Sequence, residues 1–243
     1  MAEPNDSRAF PNTVFASIGI DKAITLSSSL ASLLISAREA YQWPLGTGAR
    51  ASQQVILDSE ASIAHWLRSL CLRSAKTIIS NVSRWGKNGA RAQCHIDQAT
   101  PRTQEQMMDA LTGLLDWRNS TDLAQALDKL CHIPGIGLVM ATKVYRFCLP
   151  DRGASVDRHS SYFFNSLDTR LSDRTVTKAT CFKREWTAGC HKTSRLAIYN
   201  PSNLSKNLGE YVSCYLPLLE RMATALNEDG REFRCAATGQ AKR

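Results

Sequence analysis

The sequence predicts a mainly α-helical protein, and three observations carry that expectation. Apolar residues recur three and four positions apart along most of the chain, capping residues precede several of these runs, and alternating strand patterns are scarce. Leu26, Leu30, Leu33, Leu34 and Ala37 form the first one-faced stripe, which stops at the turn-rich run WPLGTG beginning at Trp43. Ile63, Trp66, Leu67 and Leu70 repeat the pattern. Thr103 followed by Gln106 reads as a capping box that opens a helix through Met107, Leu111, Leu114 and Leu115. Ser120 reads as the cap of a helix with Leu123, Leu127 and Leu130 on its inner stripe. Another helix resumes at Leu138 with Val139, Met140, Val144 and Phe147. Near the C-terminus, Leu204, Leu208, Tyr211, Tyr215 and Leu219 share one helix side, and Pro217 predicts a kink.

Two segments resist a helical reading. Ser83 to Cys94 is a Gly-rich, basic turn, and Asp168 to Ile198 is a polar, basic insertion. The tail from Gly230 is basic and polar, a composition that predicts a loosely held end.

A chain of 243 residues can bury a sizeable core, and 43% apolar with 21% charged residues excludes global disorder. No run approaches the roughly 18 apolar residues that a membrane span needs. The opening MAEPNDSRAF lacks the basic-then-apolar pattern of a secretion signal, so a cytoplasmic location is the default expectation. Eight cysteines without a single CxxC are too sparse for a disulfide scaffold or a zinc ribbon. Cys181, Cys190 and His191 offer three metal ligands with no fourth in view, and buried thiols are the plainer reading. No metal and no cofactor is expected.

The formal net charge is +8, and its distribution says more than its size. Between Ala141 and Asn200, 11 Lys and Arg stand against five Asp and Glu. A concentrated basic surface points to a polyanion, with nucleic acid the usual partner and an ordinary solvated face the alternative.

That basic region begins at a turn between two helices, Ile133-Pro134-Gly135-Ile136-Gly137. Two glycines at this spacing permit backbone angles that other residues resist, and they let main chain approach a ligand closely. The following helix starts there, where unpaired N–H groups and the helix dipole favour an anion such as a phosphate. A plain helical hairpin that turns on glycine is the alternative. Twenty residues after Gly137 stands a lone acid in Val156-Asp157-Arg158-His159. A carboxylate can stabilise a sugar cation and activate a water, as in glycoside hydrolysis. It can equally cap the helix that starts at Arg158, and the two roles are compatible.

The hairpin and the spaced acid together resemble the helix-hairpin-helix DNA glycosylase superfamily. Its pattern is Leu/Ile-Pro-Gly-Val/Ile-Gly, a helix, and then Val-Asp-x-His about twenty residues on. The close resemblance covers about 40 residues. It implies two helical lobes around a DNA-binding cleft, with the helix-hairpin-helix motif and Asp157 facing that cleft. Residues 1–60 would begin the outer lobe, 61–150 would form the central lobe ending in the hairpin, and 151–243 would complete the outer lobe. The implied roles are Asp157 as the catalytic acid, Gly135, Ile136, Gly137, Lys143 and Arg158 as DNA-phosphate contacts, and His159 as a supporting group or a structural histidine. The implied partner is double-stranded DNA carrying a modified base, bound by one copy of the chain, with no membrane involved.

Departures from the family pattern set the expected subtype. Relatives that also cut the strand carry a lysine two residues after the last hairpin glycine, and that position is Val139 here. Valine cannot form the imine that strand cutting requires. Lys143 lies one helical turn further on. The iron–sulfur cluster of some branches needs four closely spaced C-terminal cysteines, and only Cys214 and Cys235 occur there. The resemblance therefore implies a monofunctional glycosylase acting by base flipping, which leaves an abasic site. Its substrate would be a hypermodified phage base such as glucosylated hydroxymethylcytosine, in a defence role, or an alkylated or oxidised purine. The polar insertion after Asp168 leans toward the bulky, hydroxyl-rich base. Two alternatives stay open: a non-catalytic module that clamps duplex DNA, and a glycosylase with lyase activity through Lys143. Five tryptophans (Trp43, Trp66, Trp85, Trp117 and Trp186) offer stacking surfaces among which sequence does not choose.

Overall fold

The apolar stripes of the central chain converge on one core. A computed structural model describes residues 15–18, 43–44, 50–85, 89–166, 168–171, 176–178, 180–186, 194–196 and 201–228, and these are mainly helical. The helices are α1 (Gln53–Leu67), α2 (Leu72–Ser83), α3 (Gly89–Asp97), α4 (Pro101–Asp116), α5 (Ser120–Cys131), α6 (Leu138–Cys148), α7 (Arg158–Ser166), α8 (Pro201–Glu210) and α9 (Leu216–Glu228). A single π turn, Tyr211–Tyr215, joins α8 to α9. Among the described residues, no helix is long and apolar enough to cross a membrane.

Each helix buries the stripe that its sequence presents. Ala75, Ile78, Ile79 and Val82 of α2, Met107, Ala110, Leu111 and Leu114 of α4, and Leu127 and Leu130 of α5 are fully buried. Gly113 of α4 lets the backbone of α5 come close, since a Cβ there would meet the Ala126 methyl at 3.3 Å. Helix α1 packs across α2 and α6, while α8 and the π turn pack on α5. Buried apolar side chains from Ile56 to Met222 form one continuous cluster. Most of segment 1–60, including the stripe from Leu26 to Ala37, lies outside the described residues.

Two helix starts differ from the sequence reading by a residue or more. The cap of α4 is Thr100, whose hydroxyl accepts the Thr103 N–H at 3.2 Å, with Pro101 in the first helical position. Proline suits that position because its missing N–H would have no intrahelical partner there. The cap of α5 is Asn119 rather than Ser120, and its side-chain oxygen accepts from Thr121 and Asp122 at 2.9 and 3.0 Å. The segment expected as a Gly-rich turn is also partly helical: Gly89–Cys94 belongs to α3, where Ala92 and Ile96 are buried one turn apart.

Just ahead of Pro217, where the sequence predicts a kink, the helix carries the π turn. Proline has no N–H to donate to the carbonyl four residues back and clashes with it. The ladder widens just ahead, where Leu216 N–H bonds to the Tyr211 carbonyl five residues earlier.

Short strands account for the remaining regular structure: β1 (Phe15–Ile18), β2 (Trp43–Pro44), β3 (Arg50–Ala51), β4 (Asp168–Leu171), β5 (Val176–Lys178), β6 (Arg184–Trp186) and β7 (Ser194–Leu196). Strand β4 pairs parallel with β1 and antiparallel with β5, with Thr169 opposite Thr177. Strand β6 pairs with β7, and β2 with β3. The basic insertion is thus non-helical in its described parts, as its composition predicted. Its residues 180–183 are tied to the helices. The Asn165 amide of α7 bonds both the N–H and the carbonyl of Phe182, and Asn207 of α8 does the same for Lys183.

Candidate active site

Helix α5 ends in a tight turn made by Pro134 and Gly135. Ile136 N–H donates to the Ile133 carbonyl at 3.0 Å across them. Gly135 has φ of +83°, as the third residue of a type II turn requires. Ile133 and Ile136 point into the core and anchor the turn, which leaves Pro134 and Gly135 outside. The two glycines therefore differ in kind. Gly137 has φ of −107° and ψ of −178°, extended backbone open to any residue, and it serves as the N-cap of α6 without a capping side chain. Only the first of the two is required by its torsion angle.

His95 of α3 lies over Gly135, so a Cβ there would sit 2.9 Å from the imidazole Cδ2. Gly135→Ala should consequently lower stability by about 1–2 kcal/mol through its left-handed torsion alone. Urea unfolding would show this as a lower midpoint at unchanged slope. An unmoved midpoint would refute the strain.

Each implied phosphate contact has a definite place. Gly137 brings no capping side chain to the start of α6, and the Met140 N–H bonds back to the Gly137 carbonyl at 2.9 Å, so the Leu138 and Val139 N–H groups are those that helix geometry leaves without an intrahelical partner. Ile136 does not add to them: its side chain is buried and its N–H closes the turn. Lys143 is half-buried, and its ammonium donates to the Trp85 carbonyl at 2.9 Å, just beyond the C-terminal end of α2. Burial lowers its pKa, and the nearby Asp157 carboxylate pulls it partly back up. Lys143 is therefore a neighbour of the acid rather than a solvated surface cation. Arg158 and His159 open α7, and their side chains lie outside the described residues.

Asp157 sits at the N-terminus of α7. Its Oδ1 accepts the Ser160 N–H at 2.8 Å and the Ser160 hydroxyl at 3.1 Å, while its own N–H donates to Ser160 Oγ at 2.8 Å. That reciprocal pair is a capping box. The segment leading to it is held at every residue. The Tyr211 hydroxyl donates to the Ala154 carbonyl. The Tyr215 hydroxyl donates to the Ser155 carbonyl at 3.0 Å. Thr142 Oγ1 accepts the Val156 N–H at 3.1 Å. Upstream, Gly153 N–H closes a turn on the Leu149 carbonyl at 2.7 Å, with its α-carbon pressed against α6.

No family model, curated protein or solved structure matches the chain. What the site can do follows from its own residues. An acid fixed at a helix N-terminus, with a lysine ammonium in its field and an uncapped helix start on the preceding helix, can hold a phosphate and stabilise a nearby cation. The remaining candidates contribute little. Cys131 and Cys148 are pushed up to about 12 by burial, too high for nucleophilic thiols at neutral pH. Among the described residues, no group of three His, Cys, Asp or Glu side chains could hold a metal, and Cys190 and His191 lie outside that set.

Of the tryptophans, Trp85 is core, stacked on Phe147 with ring centroids 5.3 Å apart. Trp66 packs against the core, and Trp117 carries the Arg152 guanidinium 5.7 Å above its ring. The side chains of Trp43 and Trp186 are outside the described residues. Sequence reasoning missed Thr142, Gly153 and His95, and took Tyr211 and Tyr215 only as a core stripe.

Proposed function

We propose that the protein is a monofunctional DNA glycosylase that flips a modified base from duplex DNA and hydrolyses its N-glycosidic bond. One observation carries the reading: Asp157, twenty residues after the hairpin glycine, is a carboxylate presented by a segment whose every residue is anchored. A helix cap alone does not call for that investment. In the proposed reaction the base leaves with the electrons of the C1′–N bond and takes up a proton. Water adds at C1′, and Asp157 stabilises the sugar cation and receives the proton of that water. Flipping is needed because the stacked duplex shields the bond. The turn at Gly135 and the N–H groups at the start of α6 would hold one backbone phosphate, and the basic chain after Ala141 would add charge.

The half-buried Lys143 amine beside Asp157 favours a second reading, a glycosylase with lyase activity. A lowered pKa leaves more of the amine neutral and able to attack C1′. Val139 in the usual lysine position favours the monofunctional reading.

Base release should be screened on duplexes that each carry one alkylated, oxidised or hypermodified base, and on phage DNA with glucosylated hydroxymethylcytosine. The expected result is a freed base and an intact strand that breaks only with heat or alkali, with no adduct trapped by borohydride. An adduct that disappears in Lys143→Ala would establish the lyase instead. Duplex binding without release from any substrate would leave a non-catalytic clamp.

A further inference from the structure

We infer that Tyr211, Tyr215 and Thr142 are positioning residues that set the orientation of the Asp157 carboxylate. The kinetic part of this inference rests on the glycosylase reading; the structural part stands without it. Three consecutive residues ahead of Asp157 are held by three different hydroxyls from two distant elements. Satisfying buried backbone explains some of this, since Ala154 and Val156 are buried. It does not by itself explain Tyr215, whose partner Ser155 is only half-buried. On the other side of the acid, the Ser160 N–H and hydroxyl both donate to Asp157 Oδ1. The carboxylate is thus held from both sides, by the pinned backbone just ahead of it and by Ser160 just after it.

The tyrosine side of this hold is rigid. The Tyr215 ring meets Phe164 and Phe182 edge to face at 5.1 and 5.7 Å and stacks on Tyr211 at 5.7 Å. Phe182 belongs to the pinned stretch of the basic insertion, so the insertion also supports the acid. The wider ladder of the π turn places both tyrosines against the 154–155 segment, and π turns of this kind recur at functional sites. To swing away, Asp157 would have to break the Ser160 contacts or pull the backbone ahead of it from the two tyrosine hydroxyls.

The test uses Tyr211→Phe, Tyr215→Phe and Thr142→Val, with Thr142→Ser as the conservative rescue. Three quantities are read: kcat and KM for base release, Tm, and the carboxyl carbon resonance of Asp157 in the free protein. Tyr215→Phe should lower kcat by about 10–100-fold with KM little changed, as expected for a small misplacement of a reacting group. It should also move the Asp157 resonance. Thr142→Val should lower kcat, and Thr142→Ser should restore most of it. If Tm falls in these variants while kcat and the resonance both stay at wild-type values, the roles are only structural and the inference is overturned. If the wild-type chain releases no base, the glycosylase reading fails and the resonance alone decides. A shifted resonance then upholds the positioning of Asp157, and an unmoved one overturns it.

Discussion

Asp157→Asn is expected to slow base release by about 10²–10⁴-fold while the protein keeps its fold and its grip on duplex DNA. The substitution separates the helix cap seen in the structure from the catalytic role proposed for the same side chain. As a helix cap, Asp157 needs only an oxygen that accepts the Ser160 N–H, and asparagine caps helices about as well as aspartate. Tm should therefore barely move. As a catalytic group it needs a negative charge near C1′ and a base for the water proton, and asparagine supplies neither. DNA affinity should hold or rise slightly, because removing an anion beside a polyphosphate relieves repulsion. Asp157→Ala would lose both roles, adding about 1 kcal/mol of instability to the same loss of rate. Near-wild-type release by Asp157→Asn would show that the residue is only a cap.

How much of this was legible in sequence varies with the range of the interaction. The α5–turn–α6 unit was legible because it is local: Pro134, Gly135 and the flanking apolar stripes act within a few residues of one another. The cap of α4 was misplaced for a local reason. Thr103-x-x-Gln106 is a valid capping pattern, but Thr100-Pro101 just ahead is stronger, since proline fixes the first helical φ. Helix α3 was hidden because Gly86 and Gly89 at its start disfavour a helix, while burial of Ala92 and Ile96 against α2 decides the matter.

The surroundings of Asp157 were not legible at all. Tyr211 and Tyr215 read as one stripe of a helix, which they are, yet their hydroxyls act on Ala154 and Ser155 more than fifty residues earlier. No spacing rule carries that distance. Lys143 shows the same limit. Its place on α6 was readable, but its engagement by the Trp85 carbonyl depends on how α2 packs beside α6. The Asp157 motif could be seen from the chain, and the apparatus that holds it could not.

Gly153→Ala is expected to destabilise the protein by about 3 kcal/mol, whereas Gly209→Ala should stabilise it by about 0.5–1 kcal/mol. The two glycines look equally unremarked in sequence, and their surroundings give the substitutions opposite signs. A Cβ on Gly153 would lie 2.6 Å from Arg146 Cα, 2.7 Å from the Tyr145 carbonyl oxygen and 2.8 Å from Arg146 N. All three atoms are backbone of α6, so no side chain can turn aside to make room. Relief would require lifting the 149–156 segment off α6. That movement strains the Gly153–Leu149 hydrogen bond and pulls Val156 from Thr142. It also disturbs Arg146, whose ion pair with the buried Glu60 of α1 spans 2.8 Å and is costly to break inside a core. Gly209 lies in α8 with nothing within 4 Å of its added methyl, so alanine there gains helix propensity without a clash. Urea unfolding of both variants reads the contrast directly, and equal midpoints would refute the steric account of Gly153. Because Asp157 hangs from the displaced segment, base release by Gly153→Ala should fall further than its loss of folded protein explains. Gly209→Ala should release base at the wild-type rate.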